Sequence, residues 1–268
     1  MKILGRQTLS IEGSKSKLGF GTTGGGGWEV WDRFIVYNGK PLFHIGNVCG
    51  TCNFFFNRLE HSLNRSIVPD ALINGLNKGL TNIDQDVAKN FAELLPNDTY
   101  EVVLLEILPD LIQPNDNKDY FINEVEKTWG NVNGGKSQTN TEYYRGHDYP
   151  ITKEDRLFEF VVPLYPTTQL DEDRIRHYEK AIAKGSQPTA LALSVLDVKG
   201  PSDYPIFNGK AVSADSTHWC IAHYLIDGHH KIHAAYRQQK SITLLSYLSR
   251  GASWQQIDEL LNHINQEH

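Results

Sequence analysis

Short apolar runs and amphipathic runs follow one another along the second half of the chain. The apolar runs predict buried strands, at residues 158–164, 189–198, 219–226 and 242–247. Between and after them, apolar residues recur every three or four positions, which predicts helices at residues 171–184, 229–239 and 254–264. Strands connected by helices predict a mixed sheet with flanking helices, and we assign the chain to the α+β fold class.

The first half has a pattern of its own, which predicts a smaller α+β lobe. Two apolar runs flank Asn38-Gly39, a residue pair typical of tight hairpin turns. Helical patterns and a buried strand at residues 100–108 follow. The glycine-rich segment at residues 18–31 predicts a mobile loop. Together the two patterns predict one domain at residues 1–150 and a second at residues 151–268.

Candidate chemistry is concentrated where the third strand of the second half ends and a helix begins. Asp227-Gly228 is a turn signal, and His229, His230 and Lys231 open the helix. Because the first turn of a helix has unpaired N–H groups and a positive dipole end, it attracts anions and phosphate in particular. We therefore expect Gly228, His229, His230 and Lys231 to bind the phosphates of a cofactor. Asp227 is a candidate ligand for Mg²⁺ or a catalytic base, and His229 and His230 are candidates for orienting or stabilising charge.

A plainer interpretation of this turn stays open. Asp227 would then only cap the helix, and the two histidines would be ordinary polar residues of the surface.

The Asp-Gly-His-His-Lys turn at residues 227–231, followed by a helix containing Ala-Ala, resembles the nucleotide-binding signature of the ParB/sulfiredoxin-like superfamily. The likeness is closest to the branch written DGHHR, which includes the free-serine kinases, and it covers residues 157–247, about one third of the chain. It implies a ParB/sulfiredoxin-like fold for the C-terminal half. It also implies that the protein uses ATP or ADP with Mg²⁺ and acts on a small-molecule acceptor.

The chain also departs from that family in four respects. His229 stands where sulfiredoxins have a nucleophilic cysteine, and Lys231 replaces an arginine, so that a bidentate phosphate clamp becomes a point charge. Only residues 251–268 remain where the ParB partition proteins continue into a DNA-binding helical domain. The kinase branch tends to carry an acidic residue directly after its Leu-x-Pro step, and the chain has Thr-Thr-Gln after Pro166. Phosphate binding agrees with these departures better than any particular catalytic activity does.

Cys49 and Cys52 form the second candidate site. Two thiolates at this spacing, on a tight turn after a hairpin, are typical of the first half of a zinc knuckle. The second half is missing as a cysteine pair, so that other residues would have to complete the site through the fold; the candidates are His44, His61, His218, Cys220 and His223. We expect Cys49 and Cys52 to bind zinc, and two alternatives remain, a redox pair and two buried apolar side chains.

The composition of the chain bears on its partners and on its localisation. The 268 residues carry a net charge of −6, which argues against a broad basic surface and makes nucleic acid an unexpected partner. We expect a cytoplasmic protein, because the chain has no apolar run long enough for a membrane span, no leader pattern and only three cysteines.

Three functional hypotheses follow. The leading one is a nucleotide-binding protein that transfers a phosphoryl group to a small acceptor with Mg²⁺. The second is a nucleotide-sensing or interaction module without turnover, which has a structural metal site. The third is a ParB-like nuclease or DNA-associated protein, which fits the acidic charge balance poorly.

Overall fold

The computed structural model describes residues 1–60, 63, 67–153, 155–200, 217–254 and 256–266. The strands of these residues are β1 (Lys2–Ile11), β2 (Leu18–Gly25), β3 (Trp28–Tyr37), β4 (Lys40–Asn47), β5 (Asn57–Arg58), β6 (Asp98–Ile107), β7 (Asp110–Ile112), β8 (Tyr143–Pro150), β9 (Asp155–Val162), β10 (Thr189–Lys199), β11 (Thr217–Asp227) and β12 (Ile242–Ser249). The α-helices are α1 (Asp70–Lys78), α2 (Gln85–Lys89), α3 (Tyr120–Trp129), α4 (Glu172–Ala183), α5 (His229–Gln238) and α6 (Ile257–Gln266).

The centre of the molecule is an eight-stranded mixed sheet, which confirms the α+β class. Its strands lie in the order β1, β6, β12, β10, β11, β9, β8 and β7. Two pairs, β10 with β12 and β11 with β9, are parallel, and the other pairs are antiparallel. The central strands are apolar on both faces, as expected for strands that are covered on both sides.

Each face of this sheet is covered by a separate layer. Helices α4, α5 and α6 pack on one face, where Ile175, Ile232 and Leu260 contact apolar residues of the sheet. The other face is covered by α1, α2 and α3 and by a four-stranded sheet in the order β2, β3, β4, β5. The sheet is therefore the middle of three layers, and a side chain at the end of a central strand lies close to both outer layers.

The glycine-rich segment at residues 18–31 is not the mobile loop that the sequence predicts. It forms β2 and the first part of β3, joined by a turn at Gly26-Gly27, where both residues have positive φ angles. The glycines of β2 allow a close approach of the neighbouring strand, since a Cβ at Gly19 or Gly21 would lie 3.2 or 3.0 Å from a methyl group of Val36. Composition alone suggested flexibility, whereas pairing with β3 fixes the segment in a sheet.

Strand pairing crosses residue 150, the predicted end of the first domain. Strand β6 pairs with β12, and β8, which ends at Pro150, pairs with β9. The eight-stranded sheet thus contains strands from both predicted parts of the chain. In the part of the chain that the structure describes, no helix is both long and apolar enough to cross a membrane.

Candidate functional site

The sharp turn between β11 and α5 brings all five predicted turn residues around one small cavity. Asp227 ends the strand, Gly228 has a φ of +97°, and α5 begins at His229. Only glycine adopts this conformation readily, and a Cβ at Gly228 would lie 2.6 Å from the Cβ of Ala190 on β10. Glycine also leaves the first amides of α5 without a side-chain cap.

Lys231 does not point toward solvent as a free phosphate ligand. Its ammonium group donates hydrogen bonds to Oδ2 of Asp227 at 3.1 Å and to the carbonyl oxygen of Thr189 at 3.0 Å. Burial lowers the pKa of Lys231, and the carboxylate of Asp227 acts in the opposite direction. The charges of the two residues therefore stabilise each other inside the protein.

The two histidines hold the segment that follows β9. Nε2 of His229 accepts a hydrogen bond from the backbone N–H of Leu164 at 2.9 Å, and Nε2 of His230 accepts one from Asp171 at 3.0 Å. Burial lowers the pKa of His229 to about 3 and the pKa of His230 to about 4. Both rings are consequently neutral at pH 7, with the remaining proton on Nδ1.

One of these Nδ1 atoms is a buried donor without a partner in the described residues. His229 is 3% exposed and its ring stacks on Tyr165, with 4.1 Å between the ring centroids, but its Nδ1 makes no hydrogen bond. His229 lines a cavity of about 20 Å³ together with Gly228, His230 and Arg174. A buried N–H group without an acceptor is unfavourable by about 1–3 kcal/mol, so an oxygen atom placed in this cavity would be stabilised.

The small cavity adjoins a larger groove. Ile73 of α1 and Arg174 of α4 line both spaces, and the groove has a volume of about 480 Å³. Volumes of this order are typical of sites for small molecules. Arg174 is exposed, and it lies close enough to the turn that its charge lowers the pKa values of His229 and His230. The groove thus leads past a positive charge to the N-terminus of α5.

The prediction that Cys49 and Cys52 bind zinc is wrong. The two residues form a disulfide with 5.4 Å between their Cα atoms, so neither sulfur is present as the thiolate that zinc requires. Four of the residues considered as further ligands have other partners: His44 contacts Asp32, His218 contacts Tyr120 and Thr128, Cys220 contacts Tyr120, and His223 contacts Ser194. His61 lies outside the described residues.

The prediction of bound metal ions is also wrong for the described residues of the turn. No group of three or more His, Cys, Asp or Glu side chains within the described ranges is arranged to hold a metal ion. At Asp227, Oδ2 accepts a hydrogen bond from the ammonium group of Lys231. The described residues therefore provide no cluster for the predicted metal ions, and the zinc site expected at Cys49 and Cys52 is replaced by a disulfide.

A second polar cluster crosses the middle of the eight-stranded sheet and was not predicted. Oε2 of Glu159 accepts hydrogen bonds from the backbone N–H and from Nδ1 of His147, at 2.8 and 2.9 Å. Oε1 lies 3.4 Å from Nε2 of His223, whose Nδ1 is hydrogen-bonded to Ser194 Oγ at 2.8 Å, and Ser246 extends the chain with a hydrogen bond to Ser194. Burial raises the pKa of Glu159, but the two histidines outweigh it, so the pKa lies well below its usual value.

This cluster is enclosed rather than open to a substrate. Glu159, Ser194 and His223 are at most 1% exposed, and only the side chain of His147 reaches the surface. Its members come from five strands and are far apart along the chain. The only signal in the sequence was the presence of polar residues within otherwise apolar strands, such as Glu159 between Phe158 and Phe160.

Comparison of the chain with protein-family models, with curated proteins and with solved structures finds no match. The structure thus defines an α+β protein with a mixed eight-stranded sheet and an Asp-Gly-His-His-Lys turn beside a groove. The resemblance of its second half to the ParB/sulfiredoxin-like superfamily stays a prediction.

Proposed function

We propose that the protein binds the phosphate group of a small ligand, such as a nucleoside monophosphate, at the N-terminus of α5, without a metal ion and without turnover. The observation that carries this proposal is the unpartnered Nδ1–H of His229, which is fully buried beside a cavity at the helix N-terminus. Phosphate oxygens are strong acceptors and are favoured at a helix N-terminus. A neutral histidine donor remains available over the whole physiological pH range, because its pKa is about 3.

Arg174 supports the choice of an anion. It carries the exposed positive charge of the cavity wall, and it is also part of the groove, where the rest of the ligand would lie. The side chain of an exposed arginine can move at small free-energy cost, so that the cavity of about 20 Å³ can widen toward the groove of about 480 Å³. Guanidinium groups bind phosphate in a bidentate manner.

The burial of Asp227 and its hydrogen bond from Lys231 favour binding without turnover over phosphoryl transfer. Its carboxylate is buried and accepts a hydrogen bond from Lys231, so that it is held away from the roles of metal ligand and base. The histidines are neutral and accept backbone N–H groups, so that they position the segment from Leu164 to Asp171. These roles are consistent with a binding or sensing module.

Calorimetric titration in EDTA tests the proposal, with AMP, pyrophosphate and inorganic phosphate as probes and thermal unfolding as a second readout. A ligand that binds only the folded state stabilises it by about 2.7 kcal/mol at a hundred times its Kd. We expect heat of binding and a higher Tm with at least one probe, and a Kd raised at least tenfold in Arg174→Gln.

The matched control is Arg176→Gln, which removes an exposed arginine two residues further along α4. Arg176 pairs with Asp173 and does not line the cavity or the groove. Its substitution should leave the Kd unchanged. Absence of binding with all three probes would overturn the proposal, as would equal losses of affinity in the two variants.

A further inference from the structure

The loop between β4 and β5 contains the Cys49–Cys52 disulfide. Hydrogen bonds from residues outside the loop also hold its backbone. The ammonium group of Lys199 donates to the carbonyl oxygens of Asn47 and Cys49, at 2.9 and 2.7 Å. The N–H of Gly200 donates to the carbonyl oxygen of Gly50 at 3.0 Å, and the indole N–H of Trp129 donates to Thr51 at 2.9 Å. Because four carbonyl oxygens of the loop accept hydrogen bonds from residues outside it, the loop backbone keeps these contacts when the S–S bond is broken.

The two sulfur atoms have different surroundings. Sγ of Cys49 accepts a hydrogen bond from the backbone N–H of Cys52 at 3.1 Å and lies 3.4 Å from Oγ1 of Thr51. Donors of this kind stabilise a thiolate and lower the pKa of its thiol. No donor to Sγ of Cys52 is found among the described residues, so Cys49 is the better nucleophile of the pair.

Both cysteines are half-buried, and Thr51 between them is exposed, so that the pair is accessible from solvent. Val48, directly before Cys49, lines a cavity of about 570 Å³ whose walls also include Arg33 and Trp254. Trp254 lies directly under the loop, since a Cβ at Gly50 would be 2.8 Å from Cη2 of its ring. A peptide whose sulfur reaches Cys49 would have room for its neighbouring residues in this cavity.

We propose that Cys49 and Cys52 form a thiol–disulfide exchange site that acts on disulfides of peptides or small molecules. In the reduced protein, the Cys49 thiolate attacks one sulfur of the substrate disulfide, which forms a mixed disulfide and releases the other sulfur as a thiolate. The Cys52 thiolate then attacks Sγ of Cys49, which re-forms the Cys49–Cys52 bond and releases the second substrate sulfur. Two electrons and two protons pass from the protein dithiol to the substrate, and a second dithiol compound reduces the protein again. This site is independent of the phosphate-binding proposal.

The first test uses dithiothreitol as the reductant and oxidised glutathione as the substrate disulfide, with the full chain. Reduction should leave the circular dichroism spectrum of the folded protein unchanged. In Cys52→Ser, mass spectrometry should find a mixed disulfide of glutathione at Cys49 that forms at least ten times faster than the one at Cys52 in Cys49→Ser. Cys220→Ser is the matched control, since Cys220 is fully buried and its substitution should change neither rate.

The variant Thr51→Val tests whether the loop tunes the reactivity of Cys49 or only maintains the structure. Loss of the hydroxyl group near Sγ should raise the pKa of Cys49, measured by thiolate absorbance at 240 nm in Cys52→Ser, with the melting temperature unchanged. The proposal is overturned if the disulfide is reduced only in denaturant, if reduction unfolds the chain, or if the two single-cysteine variants react at equal rates. The first two results would define a structural disulfide, and the third would remove the assigned role of Cys49 as the attacking thiolate.

Discussion

The ammonium group of Lys231 lies 3.1 Å from Oδ2 of Asp227, four residues earlier in the chain, and both side chains are almost completely buried. A buried ion pair contributes little net stability, but removing one partner leaves the other charge in a medium that solvates it poorly. Each side chain therefore needs the other to stay charged inside the protein, and together they hold the turn in place. This relationship changes the meaning of substitutions at both residues, since loss of function in either variant would reflect loss of the fold as well.

We accordingly expect Lys231→Met to lower the free energy of unfolding by about 3–5 kcal/mol at pH 7, because it leaves the Asp227 carboxylate without its cation. Asp227→Asn should also be destabilising, and the double variant should be more stable than the sum of the two single effects predicts. Urea unfolding followed by circular dichroism measures all four proteins. Additive effects would contradict the pairing.

Much of the fold around this turn is predictable from the sequence because it depends on local patterns. The predicted strands at residues 189–198, 219–226 and 242–247 correspond to β10, β11 and β12, and the predicted helix at residues 229–239 corresponds to α5. Apolar runs and the Asp-Gly turn contain this information. Boundaries differ by one or two residues for these elements, while α6 begins three residues later than its pattern suggests.

The partners of the site residues are not predictable in the same way. Lys231 contacts Thr189, and His229 contacts Leu164, through pairings that the strand order creates and that no local pattern contains. The same holds for Cys49 and Cys52, where spacing alone is compatible with zinc and with a disulfide. Glu159 and His223 meet because β9 and β11 are neighbours in the sheet, although 64 positions separate them.

The low pKa of His229 gives a pH dependence of stability. An unfolded histidine has a pKa of about 6.5, so at pH 5 the unfolded chain binds a proton at this residue and the folded protein, with a pKa of about 3, does not. Stability is therefore lost as the pH falls below about 6.5. For this residue the loss between pH 6.5 and pH 5 is about 1.6 kcal/mol, because the unfolded histidine is already half protonated at pH 6.5.

We expect His229→Gln to reduce the difference in the free energy of unfolding between pH 6.5 and pH 5 by about that amount. Urea unfolding at the two pH values measures this difference. Part of the pH dependence remains in the variant, because His218 and His230 also have low pKa values in the folded protein. His177→Gln, at an exposed position of α4, serves as the control. An unchanged pH dependence in His229→Gln would show that the imidazole is not buried in its neutral form.

Gly228→Ala is expected to destabilise the protein for two separable reasons. The alanine would have to adopt a φ of +97°, and its Cβ would collide with Ala190. Gly185→Ala carries only the first penalty, because Gly185 has a φ of +91° and a Cβ there meets no atom within 4 Å. We expect a loss of about 1–2 kcal/mol for Gly185→Ala and a further loss of about 1–3 kcal/mol for Gly228→Ala, measured by urea unfolding. Equal losses would mean that β10 moves away from the turn without difficulty.

The bulge in β8 should be as intolerant of a side chain as the turn at Gly228. The register of β8 with β9 shifts between Arg145 and Asp148, and this irregularity directs the backbone N–H of His147 at the Glu159 carboxylate. A Cβ at Gly146 would lie 2.6 Å from Cδ of Glu159, a buried side chain whose carboxylate is held by His147. Gly146→Ala should therefore break the hydrogen bond to His147 and leave the carboxylate poorly solvated, at a cost of about 3 kcal/mol or more.

Gly75→Ala should have the opposite effect on stability, measured by the same urea unfolding. Gly75 is exposed within α1, and a Cβ there meets no atom within 4 Å, so the substitution should raise the free energy of unfolding by about 0.5–1 kcal/mol through helix propensity. Loss of stability in Gly146→Ala together with a gain in Gly75→Ala would assign the effect to the contact with Glu159. A tolerated Gly146→Ala would contradict this account, because it would require the carboxylate to find another position inside the sheet.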